Sequence, residues 1–146
     1  MSASERLPSP HTVLSVRTYH LPLIGGSFGN LSFAQFNDHI PFVPKRYFII
    51  YDVPAGVVRG AHAHRDIDQF FVCVRGSCVV TIDDGNDRDS LLLDMPTQAL
   101  HVPPLIWSTL QEFSPDAMLL VLASAAYNEA EYIRDYYEFL KLKGKQ

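Results

Sequence analysis

The sequence predicts an all-β sandwich or barrel closed by a short C-terminal helix, on three observations. Short runs rich in Val, Ile, Phe and Tyr recur from Thr12 to about Ala123. Gly, Pro, Asp and Asn separate these runs at intervals of roughly 8 to 12 residues, the spacing of strands in sandwiches and barrels. At Asn128 the pattern changes to apolar positions at helical spacing.

Taken in order, the clearest strand-like runs are 47–53, 67–74, 78–82, 90–93, 100–102 and 118–123, rich in β-branched and aromatic side chains that suit a pleated, half-buried surface. Two joints are well marked. Arg75-Gly76-Ser77 lies between two runs, and Asp83-Asp84-Gly85-Asn86 offers residues that tolerate positive φ in a tight hairpin. Asn128 can cap a helix with Glu131 reaching back as in a capping box, so a helix is expected over about 129–142. Tyr132, Ile133, Tyr136, Tyr137 and Leu140 would form its packing stripe, for core or interface, and Lys141, Lys143 and Lys145 would sit at its negative end.

With 146 residues, 47% of them hydrophobic and 19% charged, the chain can bury a core and is expected to form one domain over 1–146, its β core about 12–124. A net charge of -4 argues against nucleic acid as a partner, although a local basic pocket can still hold one pyrophosphate. Cys73 and Cys78 stand alone in strand-like runs, which suggests neither a disulfide framework nor a paired zinc site. Residues 1–10 are polar and proline-punctuated, and no run approaches the roughly 18 apolar residues of a membrane span. No membrane association is expected, and reduced thiols point to a cytoplasmic location.

Residues two apart on a strand project from one face, so His62 and His64 should share a pocket if residues 59–65 are extended. Gln69, Phe71 and Cys73 should line the same interior, with Phe70, Val72 and Val74 packing outward against the second sheet. His-x-His, four residues, Gln69, six residues and Gly76 matches the first cupin motif, except that glutamine replaces the usual metal-binding glutamate. In the second motif, Pro104-Leu105-Ile106-Trp107-Ser108, serine stands where a histidine usually completes the site. Two of four customary ligands are therefore missing, and no metal is expected, because zinc and iron sites need three or four donors. The alternative is a metal-dependent enzyme in which His101, on the preceding strand, joins His62 and His64.

The run Arg59-Gly60-Ala61-His62-Ala63-His64 resembles the R-G-x-H-A-H signature of the nucleotide-sugar 3,4-ketoisomerases, which is narrower than the general cupin pattern. The likeness continues through Ile40-Pro41-Phe42, Lys45-Arg46, Gly76-Ser77-Cys78, Asp83-Asp84-Gly85-Asn86 and Val121-Leu122-Ala123-Ser124, and closes on Glu131-Tyr132-Ile133-Arg134. The resemblance implies a cupin, that is, a jelly-roll or double-stranded β-helix barrel. It also implies a homodimer without metal or organic cofactor that acts on dTDP-4-keto-6-deoxyglucose. His62 and His64 would be catalytic, and Arg59 and Arg46 would face the pyrophosphate, since a guanidinium fork suits phosphate oxygens. At 146 residues the chain is expected to carry no fused acetyltransferase.

Two departures bear on the substrate. Gly25-Gly26 stands where the family often has arginine before glycine, and Tyr47-Phe48-Ile49 follows Lys45-Arg46 where the family tends to carry tyrosines. If the family's functional tyrosine aligns with Phe48 the pocket loses a hydroxyl; if with Tyr47 it keeps one.

The chemistry suits these groups. A 4-keto sugar has an acidified C3 hydrogen, and isomerisation needs a base and a proton shuttle through an enediolate. Histidine, with an ordinary pKa near 6.5, serves for both. Gln69 can orient one ring or the sugar, and Trp107 offers either an apolar wall or a packed core side chain. The non-enzymatic alternative is a cupin that binds a nucleotide sugar without turning it over.

Overall fold

The computed structural model describes Val13 and residues 15–145. The reading of residues 1–10 as polar, with no membrane association, therefore lies outside the described residues. Twelve strands run in the order β1 (Arg17–His20), β2 (Leu23–Gly26), β3 (Gly29–Ser32), β4 (Arg46–Tyr51), β5 (Arg59–His64), β6 (Gln69–Arg75), β7 (Cys78–Asp83), β8 (Arg88–Leu93), β9 (Gln98–Val102), β10 (Trp107–Gln111), β11 (Met118–Ala123) and β12 (Tyr132–Ile133). Among the described residues one α-helix, α1 (Tyr136–Leu142), follows.

Two five-stranded antiparallel sheets form the body, in the orders β1-β9-β6-β11-β4 and β12-β5-β10-β7-β8, while β2 and β3 make a separate hairpin. This is the expected all-β jelly roll. Strand alternation explains its core: Cys78, Val80 and Ile82 of β7 and Leu91 and Leu93 of β8 point inward from one sheet. Phe71, Leu100, Leu119 and Val121 meet them from the other. Full burial of side chains of this size contributes about 1.5–3 kcal/mol each.

The joints read from the sequence fall where expected. Gly76, at φ 66°, turns β6 into β7, and a Cβ there would come within 2.8 Å of the Ala117 Cα. In the next hairpin the Asp84 carboxylate accepts the N–H groups of Asn86 and Asp87, both at 2.8 Å, and Gly85 adopts φ 94°.

Three expectations need correction. Phe70 and Val72 do point away from the core, but they pack on Leu21, Ile40 and Ala99 rather than on the second sheet, and Val74 is 40% exposed. The segment 107–111, read only as a motif, is strand β10 at the centre of the second sheet.

The helix is the third. Asn128 caps only a single 3-10 turn, Glu129–Glu131, through the Ala130 N–H. Glu131 reaches away from it, its carboxylate accepting the Asp66 N–H at 2.8 Å. Tyr132 and Ile133 then pair with His64 and Ala63 as strand β12. The helix starts at Asp135, whose carboxylate accepts the Tyr137 and Glu138 N–H groups. Ile133 and Phe139 cover Ala63 on the outer face of the second sheet. No helix among the described residues is long and apolar enough to cross a membrane.

Candidate active site

A cavity of about 460 Å³ opens between the sheets. Strands β4 and β6 supply Arg46, Phe48, Ile50, Gln69 and Phe71; strands β5 and β10 supply Arg59, Gly60, His62, Ser108 and Leu110. The C-terminal segment closes one side with Tyr127, Tyr132 and Arg134.

The local course of β5 aims the histidines. Against β10, Ser108 pairs with His62 and Thr109 with Gly60, so Ala61 is an extra residue that bulges the strand. Gly60 and Ala61 both take positive φ, 79° and 60°. A Cβ at Gly60 would lie 3.0 Å from the Ser108 carbonyl oxygen, which explains why glycine stands there. Bulges of this kind re-aim side chains beside functional sites. Past the bulge, Ala63 faces α1 while His62 and His64 turn to the interior.

The two imidazoles meet edge to face with centroids 5.0 Å apart. Tyr132 contacts both, at 4.9 Å from His62 and 4.6 Å from His64. His62 lines the cavity. His64 is 5% exposed, and neither of its ring nitrogens has a hydrogen-bond partner among the described residues.

Burial disfavours the charged form of both rings. It holds His62 below its usual 6.5, helped by the Arg134 charge and opposed by a hydrogen bond to the Gly60 carbonyl and by Glu129. His64 falls further, to about 4, through burial first and then the charges of His62, Arg46 and Arg134. Near neutral pH both are uncharged imidazoles, able to accept a proton.

The cavity also carries three guanidinium groups, from Arg46, Arg59 and Arg134. Arg134 lies 4.4 Å over the Tyr132 ring and pairs with Glu129 at 3.0 Å, and the Glu129 carboxylate also accepts the Tyr127 hydroxyl. Arg46 sits between the Phe48 and Tyr127 rings, at 5.4 and 5.6 Å.

The structure thus brings His62, Arg46, Arg59 and Gln69 to one cavity, with His64 directly behind His62. Two of the sequence candidates lie elsewhere. Tyr47 alternates away from Arg46 and Phe48 and is 67% exposed on the outer face, so the pocket-facing position after Lys45-Arg46 is Phe48 and bears no hydroxyl. Trp107 points outward from β10, packing on Tyr136 and Phe139 at 5.2 and 5.7 Å.

The third-ligand role of His101 is also ruled out by placement. On β9 it pairs opposite Phe70, binds the Asp68 carboxylate at 2.8 Å and packs near Phe42. Among the described residues no three His, Cys, Asp or Glu side chains converge as a metal site needs.

Comparison with known proteins is decisive at the family level. The model of the family described as FdtA: WxcM-like, C-terminal matches residues 14–144. The chain belongs to this family. Among relatives of this FdtA-like chain is a TDP-4-oxo-6-deoxy-alpha-D-glucose-3,4-oxoisomerase of Aneurinibacillus thermoaerophilus. It is 42% identical over 119 residues, which is 82% of this chain and 86% of the relative. A crystal structure of a 3,4-ketoisomerase from Helicobacter canadensis is 37% identical with a TM-score of 0.85, the match covering 89% of this chain and 98% of that one. A variant of the 3,4-ketoisomerase QdtA from Thermoanaerobacterium thermosaccharolyticum, in complex with TDP-4-keto-6-deoxyglucose, is 28% identical with a TM-score of 0.87, covering 90% and 96%.

Sequence reasoning missed Tyr132 and Arg134 as cavity residues because the stretch from 129 read as one helix, and it missed Tyr127, just before that stretch, because no motif marks it. A signal was present: Tyr132 and Ile133 are adjacent β-prone residues, and Asp135 with Glu138 makes a better helix start than Asn128 with Glu131.

Proposed function

We propose that this member of the FdtA-like family is a sugar 3,4-ketoisomerase. It converts dTDP-4-keto-6-deoxyglucose to a dTDP-3-keto-6-deoxyhexose. The observation that carries the reading is His62: an imidazole held neutral by burial, on the wall of a cavity lined by three arginines. A nucleotide-linked keto sugar needs this combination, with a base at the sugar and cations for the diphosphate.

In this account His62 removes the C3 proton. As a neutral imidazole it has one ring nitrogen free to act as base. The C3–H electron pair forms the C3=C4 bond, and the C4 carbonyl pair moves onto its oxygen. Return of a proton to C4, and transfer of the O3 proton to O4, gives the 3-keto product with no external oxidant or reductant. His64, buried and neutral, packs against His62 with Tyr132 and fixes its direction. Gln69, buried at the cavity wall, offers a neutral amide to the sugar. Arg59, exposed on β5, is placed for the diphosphate.

A homodimer is part of the same reading. The outer face of the first sheet carries an apolar cleft of about 530 Å³ bordered by Leu21, Phe70, Val72 and Leu122, and Leu23 and Leu31 of the hairpin are exposed beside it. That face is available to a second copy, which sedimentation would reveal as a species of twice the chain mass. The free thiols of Cys73 and Cys78 accord with a cytoplasmic location.

Incubation of the purified protein with dTDP-4-keto-6-deoxyglucose tests the activity. NMR should show a 3-keto sugar nucleotide accumulating. A substrate bound tightly but unchanged over hours would favour a binding protein instead.

A further inference from the structure

Arg46 has no counter-charge among the described residues, and its location suggests one that exists only during turnover. Its Nε and Nη2 atoms are buried and make no hydrogen bond. The other two cavity arginines differ: Arg134 is paired with Glu129, and Arg59 is exposed. Arg46 as a whole is half-buried, but buried donors left unpaired on a cation are costly, and such groups recur where a ligand or a developing charge completes them. The rings of Phe48 and Tyr127 hold the guanidinium in place without neutralising it.

Strand register places this cation at the reacting end of the cavity. Across the first sheet Arg46 lies opposite Ala123, and Ala123 opposite Gln69, so these three form one row. In the second sheet Ser108 lies opposite His62, and His64 opposite Tyr132. Arg46, Gln69, Ser108 and His62 all border the same cavity. The Arg46 charge is also close enough to His64 to disfavour a second positive charge there.

We propose that Arg46 is a catalytic residue whose guanidinium pairs with the sugar oxygen that becomes anionic as the enediolate forms, and is not a diphosphate ligand. This rests on the ketoisomerase reading and revises the expectation from the sequence that Arg46 faces the pyrophosphate. When the C3–H bond breaks, its proton passes to His62, its electron pair forms C3=C4, and negative charge appears on O4. Arg46 stays protonated and donates N–H bonds to that oxygen. When C4 takes a proton and the O3 proton moves to O4, the charge is discharged and the C3 carbonyl forms. A preorganised donor in a site shielded from water stabilises such a charge more than the same group would in water. The diphosphate, anionic throughout, needs no such donor beside the imidazoles and is served by exposed Arg59.

The test separates binding from turnover in three variants, Arg46→Gln, Arg46→Lys and Arg59→Gln. The probes are TDP, for calorimetric binding, and TDP-4-keto-6-deoxyglucose, for kcat and KM. Loss of one oxyanion donor lowers kcat by about 10²–10³-fold, and that loss is expected for Arg46→Gln with the TDP Kd within about threefold of wild type. Arg46→Lys, which keeps the charge but loses the planar fork, should recover part of kcat. Arg59→Gln should weaken TDP binding by about tenfold or more. The proposal is overturned if Arg46→Gln weakens TDP binding as much as it lowers kcat/KM, or if its kcat is unchanged. If Arg46→Gln does not fold by thermal melting, Arg46→Lys decides: a lowered kcat with unchanged TDP affinity supports the proposal, and weakened TDP affinity at unchanged kcat overturns it. Absence of turnover by the wild type would be a failure of the ketoisomerase reading, visible before any variant is made.

Discussion

The His62 and His64 rings stand at 86° to one another with centroids 5.0 Å apart, an edge-to-face contact between residues two apart on β5, just past the bulge at Ala61. The contact has a chemical consequence. Burial holds His62 neutral as the pH falls below its usual range, so it remains available as a base, and a charge on His62 further disfavours one on His64.

The acid limb of kcat/KM should therefore lie below pH 6.5. Activity is retained while His62 is neutral and lost as pH drops through its lowered pKa. A rate profile in the free-enzyme regime checks this. A limb centred above 6.5 would mean that the ring is more hydrated than its burial implies.

His64 ties stability to pH. In the unfolded chain it takes a proton near 6.5; in the fold it does so only at about 4. Above 6.5 both states are neutral and it contributes nothing to the pH dependence. Between 6.5 and about 4 only the unfolded chain binds the proton, so stability falls as pH falls, and below about 4 the loss levels off. The full span corresponds to roughly 3 kcal/mol. Urea unfolding at stepped pH should show a shallower acid loss for His64→Gln than for wild type.

Gly60→Ala should be among the most damaging single-methyl changes. It places a Cβ at φ 79° and 3.0 Å from the Ser108 carbonyl, which should cost about 1–3 kcal/mol. It should also lower kcat more than the loss of fold accounts for, because His62 is aimed by this bulge. Denaturant melts together with kcat per folded molecule separate the two effects.

Tyr132 should act through its ring. Tyr132→Phe keeps the face that packs on both histidines and should stay near wild-type kcat. Tyr132→Ala lets water reach them, so the acid limb should move up toward 6.5 as desolvation is relieved. An unmoved limb in the alanine variant would leave Tyr132 no part in tuning the pair.

Much of the fold was legible because strand alternation and turn chemistry are local. The hairpin at Asp83 to Asn86, the turn at Gly76 and the joint inward placement of Gln69 and Phe71 all follow from residues a few positions apart. What was not legible depends on partners distant in the chain. Strand β12 exists because the edge of β5 at Ala63 and His64 accepts Tyr132 and Ile133, and the β propensity of those two residues does not say which edge they join. Tyr47 and Trp107 read as pocket residues by composition, yet one step of strand parity puts each on an outer face. Gly60 was legible as a motif letter, but its reason, a bulge against Ser108, needed the register.

The central claim is that His62 moves the C3 proton of a nucleotide-linked 4-keto sugar. The most direct measurement is NMR of dTDP-4-keto-6-deoxyglucose in deuterated water with wild-type protein and with His62→Asn. The account predicts that wild type forms the 3-keto sugar with solvent deuterium at C4, and at C3 of substrate regenerated by reversal, and that His62→Asn binds TDP but exchanges at least about 10²-fold more slowly. Exchange at an undiminished rate in the variant, or none with the wild type, would contradict it.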